Sequence, residues 1–143
     1  MSKNKLPRGI RNNNPLNIIR TTNQWKGMTE GEDTHFCTFQ TAAYGFRAAF
    51  LIMRTYMYTY NLRTIRGIIN RWAPPKGNDT EAYIRIVSRA SGINPDEELS
   101  WLSQSTMVAV ALAMARVENG DIPAEWNSDV IEGYEMAIKF IHG

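Results

Sequence analysis

Three groups of residues have types and spacing that could do chemistry. The first is Glu118, which closes a nearly all-apolar stretch, residues 107–115, and is followed at once by Asn119-Gly120. A carboxyl group where an apolar helix gives way to a glycine turn sits at a core boundary. Partial desolvation at such a boundary favours the protonated form of a carboxyl group, which is the form a general acid must hold. Taken alone, Glu118 reads equally as a solvated residue in a last helical turn. At 100° per residue, Arg116 lies roughly 200° away around that helix. Ala111 and Met114 share the face of Glu118.

The second group is Arg8-Gly9-Ile10-Arg11-Asn12-Asn13-Asn14-Pro15-Leu16-Asn17-Ile18. Its asparagines offer paired donors and acceptors of the kind that suit sugar hydroxyls or acetamido groups. On spacing alone the simpler reading is a loop whose asparagines satisfy their own backbone. The third is Asn78-Asp79-Thr80-Glu81-Ala82-Tyr83, where Tyr83 belongs either to the core or to a cleft. Trp25 and Trp72, each beside a loop, are sugar-stacking platforms or, more commonly for tryptophan, core residues. There is no Gly-rich phosphate loop, no His-Glu-x-x-His and no Gly-x-Ser-x-Gly.

These groups need elements to hold them. Residues 8–23 read as an ordered loop and a short extended piece, and residues 24–39 as a small hairpin. Ala43, Phe46, Ala49, Phe50, Met53 and Met57 recur at helical spacing, which predicts a helix over 41–59. A shorter helix over 62–72 ends at Pro74-Pro75. Asn78 with Glu81 resembles a capping box opening a helix over 79–91, with Gly92 as its stop. Asn94 to Glu98 is a turn. Ser103 or Ser105 caps the helix that ends at Glu118, and Ser128 caps a final amphipathic helix. The fold class is therefore mainly α with one small β element, in a single domain over residues 1–143.

The 143 residues, 43% hydrophobic and 21% charged, suit a globular chain with a sizeable core. A net charge of +2 is too weak to argue for nucleic acid. Cys37 is alone, so no intramolecular disulfide forms. With only His35 and His142 for company it predicts no zinc site, and no other metal or cofactor is called for. His35 and Cys37 should share one side of a strand. Residues 1–7 are basic and polar without an apolar core, and no run spans a membrane. The expectation is a chain made in the cytoplasm with no membrane insertion, delivered by other means if its target lies outside.

Together these residues resemble a family. Gly9 to Ile18, Trp25-Lys26-Gly27, Phe36 to Phe39, Gly45-Phe46-Arg47-Ala48, Thr64 to Pro75, Asn78-Asp79-Thr80 with Tyr83, and Glu118-Asn119-Gly120 look like phage and prophage proteins of the lysozyme-like superfamily, which includes lytic transglycosylases and glucosaminidases. The resemblance covers roughly residues 8 to 120. In the related cell-wall enzymes the glutamate helix comes first and the Asn-rich loop and β-lobe follow. Here the order is reversed, which suggests a circular permutation.

The resemblance implies a lysozyme-like helical domain acting on bacterial peptidoglycan. Glu118 would be the catalytic acid at the bond between N-acetylmuramic acid and N-acetylglucosamine. Asn13, Asn14 and Asn17 would line the cleft, Tyr83 would orient the sugar or stabilise the transition state, and Trp25 and Trp72 would bind substrate. A two-carboxylate glycosidase needs a second acid. Glu30, Glu32 and Asp33 are available and nothing selects one, so a lytic transglycosylase, needing only Glu118, is favoured over a hydrolase. Delivery would be by virion, holin or secretion apparatus, with phage virion components as further partners. The alternatives are a non-enzymatic phage structural or wall-binding protein and a muralytic endopeptidase, for which a nucleophile or metal is lacking. Last comes a nucleic-acid binder using Arg8, Arg11, Arg20, Arg63, Arg66 and Arg71.

Overall fold

A computed structural model describes residues 6–143. Of the basic and polar stretch over residues 1–7, residues 1–5 lie outside the described residues. The elements in chain order are α1 (Arg8–Arg11), β1 (Met28–Thr29), β2 (Thr38–Phe39), α2 (Ala42–Tyr58), α3 (Ile65–Trp72), α4 (Thr80–Ser91), α5 (Gln104–Asn119) and α6 (Trp126–His142). The fold is mainly helical, with one two-stranded antiparallel sheet pairing Met28 with Phe39 and Thr29 with Thr38. Ile19 and Phe36 form an isolated antiparallel bridge that extends the β region toward the Asn-rich loop.

The core follows the helical periodicity. Phe46, Phe50 and Met53 of α2 are fully enclosed, with Met107, Val110 and Met114 of α5 and Val130 of α6. The α2–α6 crossing is close because Gly133 has no side chain: a Cβ there would lie 2.7 Å from the Ala43 carbonyl and 2.6 Å from Phe46 Cβ. Trp101 is buried before α5, and its Nε1–H donates to the Phe50 carbonyl at 2.9 Å while its own carbonyl accepts from the Tyr134 hydroxyl at 2.9 Å. An indole buried this deeply needs such a partner.

Several boundaries differ from expectation for local reasons. Residues 8–11 form a helical turn rather than loop, and α3 begins at Ile65 because Thr64 caps it, its hydroxyl accepting from the Gly67 N–H at 3.0 Å. Asp79, not Asn78, caps α4, accepting from the Ala82 N–H at 3.1 Å; the Asn78 amide instead donates to the Pro74 carbonyl. Gly92 ends α4 in the left-handed conformation, as expected. Ser103 stands at the start of α5, but its hydroxyl donates to Thr106 and not to the helix end. Ser128 lies inside α6, which starts two residues earlier at Trp126. Among the described residues no helix is long and apolar enough to cross a membrane.

Candidate functional site

The loop after α1 is built by asparagine side chains acting as backbone. Asn13 and Asn17 take positive φ, 50° and 53°, a region that asparagine enters more readily than other non-glycine residues. Asn14 is fully buried. Its Oδ1 accepts from the Ile18 N–H, and its Nδ2 donates to the carbonyls of Ile18 and Cys37, all near 3 Å. Asn13 donates to the carbonyls of Phe39 and Gln40. Both side chains are committed to backbone groups of the loop and hairpin. Asn13 and Asn14 therefore join the loop to the hairpin, and neither is among the residues lining the groove described below.

Asn17 is different. Its bend aims the amide across the fold at α5, where Nδ2 donates to Glu118 Oε1 at 2.9 Å. Its Oδ1 faces Arg8, whose Nε lies 3.4 Å away and whose guanidinium stacks 3.7 Å from the Phe36 ring centre. Arg8 thus orients the amide so that its donor side meets Glu118. Tyr83, one turn into α4, donates its hydroxyl to Glu118 Oε2 at 2.9 Å. Three of the residues expected to act together, Glu118, Tyr83 and Asn17, converge from three separate elements.

Glu118 is half-buried, in the last turn of α5 with Met114 and Ala111 enclosed beneath it and Arg116 exposed on the other side. Asn119 locks that helix end, its Nδ2 donating to the Pro15 carbonyl at 2.8 Å and the Ala115 carbonyl at 2.9 Å. Gly120 then turns the chain with φ 78° and ψ −130°, a conformation suited to glycine alone. Tyr83 is buried, and its hydroxyl is held well above the ordinary tyrosine value of 10.0, first by desolvation and then by the charge and hydrogen bonding of Glu118. It is a fixed proton donor to the carboxylate.

A groove of about 430 Å³ opens beside this cluster, lined by Asn17, Asn23, Trp25, Tyr56, Arg71 and Trp72 among others. Trp25 and Trp72 are each half-buried, with part of each surface in the groove. Glu118 does not line it but is one hydrogen bond away through Asn17. Arg71, expected from the sequence to be a solvated cation, stacks 3.8 Å from the Tyr60 ring centre and brings a positive charge to the groove. The periodicity of α3 put it beside Trp72, but nothing in the sequence joined it to Tyr60.

Of the three acids in the β region, Asp33 is engaged: its Oδ1 accepts from the N–H groups of His35 and Phe36 and its Oδ2 from Asn12. The Phe36 N–H is the largest influence, and together these donors hold the Asp33 carboxyl below its ordinary value against partial burial. Glu30 and Glu32 are exposed. His35 is exposed whereas Cys37 is buried, so the two do not share a side, and burial pushes the Cys37 thiol up, away from nucleophile character. Among the described residues no group of three or more His, Cys, Asp or Glu is placed to hold a metal ion.

No family model matches the chain. Protein P5 of Pseudoalteromonas phage PM2 is 42% identical over 136 residues, which is 92% of this chain and 82% of that protein. An identity of that size across almost the whole sequence shows that the chain belongs to the family of phage PM2 protein P5.

Proposed function

We propose that this chain is a peptidoglycan-cleaving enzyme with a lysozyme-like, circularly permuted arrangement. Glu118 acts as general acid and base on the bond between N-acetylmuramic acid and N-acetylglucosamine. The observation that carries the reading is the Glu118 carboxyl group, gripped at one oxygen by Asn17 and at the other by Tyr83, one hydrogen bond from a groove walled by two tryptophans. Glu118 donates its proton to the glycosidic oxygen as the bond to the muramic C1 breaks. The C6 hydroxyl of the same muramic residue then attacks C1, and the Glu118 carboxylate accepts the hydroxyl proton, leaving a 1,6-anhydro ring and a regenerated acid. No water and no second carboxylate enter. Asp33 is engaged by backbone N–H groups and Asn12, and Glu30 and Glu32 are exposed, so no second carboxylate is singled out and the route that needs none is favoured over hydrolysis.

A second reading has its own observation. Both Glu118 oxygens are already satisfied within the protein, as a structural carboxylate would be. In that reading the chain is a non-enzymatic phage structural or wall-binding protein. Digestion of purified peptidoglycan by the wild type and by Glu118→Gln, with products read by mass spectrometry, separates the two. Anhydro-muropeptides that disappear in the variant support the transglycosylase. Reducing-end sugars require hydrolysis, free stem peptides an endopeptidase, and no product on any wall type a binding or structural role.

A further inference from the structure

On the far side of Trp25 lies a second depression, about 820 Å³, that the catalytic reading does not use. Its lining carries three cations, Lys26 from the loop before β1, Arg47 from α2 and Lys139 from α6, and no Asp or Glu side chain; the carboxyl-terminal Gly143 lines it as well. Arg47 is only 6% exposed, yet among the described residues it has no salt bridge and its guanidinium makes no hydrogen bond to the protein. Its contact is the Phe140 ring, 4.8 Å from the guanidinium carbon to the ring centre, and Phe140 itself is exposed. Among the described residues no Arg47 nitrogen is both sealed from solvent and unpartnered, so its donors reach the surface and are free for a ligand. Arg47 lines the depression together with the exposed Lys26 and Lys139.

The two depressions are neighbours: Trp25 and Asn23 line both. A ligand lying along the first can turn past Trp25 into the second. Peptidoglycan has the matching chemistry, an uncharged glycan carrying short peptide arms that bear several carboxylates. We infer that the Lys26–Arg47–Lys139 depression is a carboxylate-binding subsite for the stem peptide of a peptidoglycan strand whose sugars occupy the Trp25–Trp72 groove. Arg47 is the buried anchor, able to hold a carboxylate with two parallel N–H donors, and the two lysines add attraction at the rim. This assignment rests on the proposed substrate, but its test does not require catalysis.

The test is titration of the full chain with free stem tripeptide, L-Ala-γ-D-Glu-meso-diaminopimelate, followed by NMR shifts or calorimetry. The expected result is saturable binding that weakens as salt rises and falls at least about tenfold, or 1.4 kcal/mol, in the Lys26→Ala/Lys139→Ala double variant. The double variant alters exposed side chains, so it keeps the test sound if Arg47→Gln fails to fold. Absence of saturable binding, binding unchanged in the double variant, or inorganic phosphate binding as tightly as the peptide would each overturn the subsite. Peptide binding by a protein that cleaves no wall would leave the subsite standing and remove only the enzymatic reading.

Discussion

Glu118, Asn17 and Tyr83 differ in what each should cost when changed. Glu118→Gln keeps the side-chain shape and an acceptor for Tyr83. It is expected to lower wall cleavage by about a hundredfold or more. It also sets its new amide N–H against the Asn17 donor, at a stability cost of about 1 kcal/mol, read as a modest drop in melting temperature. Tyr83→Phe removes a buried hydroxyl bonded to a carboxylate. It should cost about 1.5–3 kcal/mol of stability, measurable by urea unfolding, along with a loss of cleavage rate. Asn14 separates structure from chemistry. Its three bonds lie in the core, so Asn14→Ala should lower stability by about 3 kcal/mol in the same assay. A stable but inactive Asn14→Ala would return Asn14 to the cleft. The Asn-rich motif was visible in the sequence, but not the division of labour within it. Four similar amides stand in six positions, and only tertiary partners separate Asn17, aimed at α5, from Asn13 and Asn14, which hold the hairpin.

At the scale of elements, the site depends on the start of α4, the end of α5 and the loop after α1 meeting. Asp79 caps α4 one turn before Tyr83, and Asp79→Ala should cost about 1 kcal/mol, with a smaller effect on cleavage than Tyr83→Phe. Gly133→Ala meets the Ala43 carbonyl and Phe46 across the α2–α6 crossing and should cost about 1–3 kcal/mol, read as a lowered melting temperature. Helix α2 was legible because its apolar spacing matches 3.6 residues per turn over four turns or more, and α5 from its nearly continuous apolar run ending at the Gly120 turn. The small hairpin was legible from its turn glycines and β-leaning residues. What escaped was set by single contacts. Asp79 and Asn78 are both good caps, and only the path from Pro74 chose between them. Ser128 looks like a cap, yet the start of α6 is fixed by burial of Trp126. The groove was half legible: Trp25 and Trp72 stand out in the sequence, whereas Arg71, Tyr56 and Tyr60 come together only through packing of α2 on α3.

For the molecule as a whole, pH acts through groups that the fold holds away from their ordinary values. Tyr56, Tyr83 and Tyr134 are all raised, chiefly by burial. In the folded chain they keep protons that the unfolded chain gives up above pH 10, so their contribution is fully present below that value and is lost as pH rises further. Stability should fall above pH 10, with a shallower slope in Tyr83→Phe. Asp33 has the opposite sign. Its folded value lies below 3.8, so its contribution holds above that pH and is lost as acid protonates it; Asp33→Asn should flatten the acid limb of a stability curve. The bond between Asn17 and Glu118 joins residues 101 apart, and that between Asn119 and Pro15 joins residues 104 apart. Helices α3 and α4 find each other early on the growing chain, but such distant closures come late. A ribosome must release the end of α5 before the carboxyl group can meet its two partners, so every shorter nascent chain is born without an assembled site.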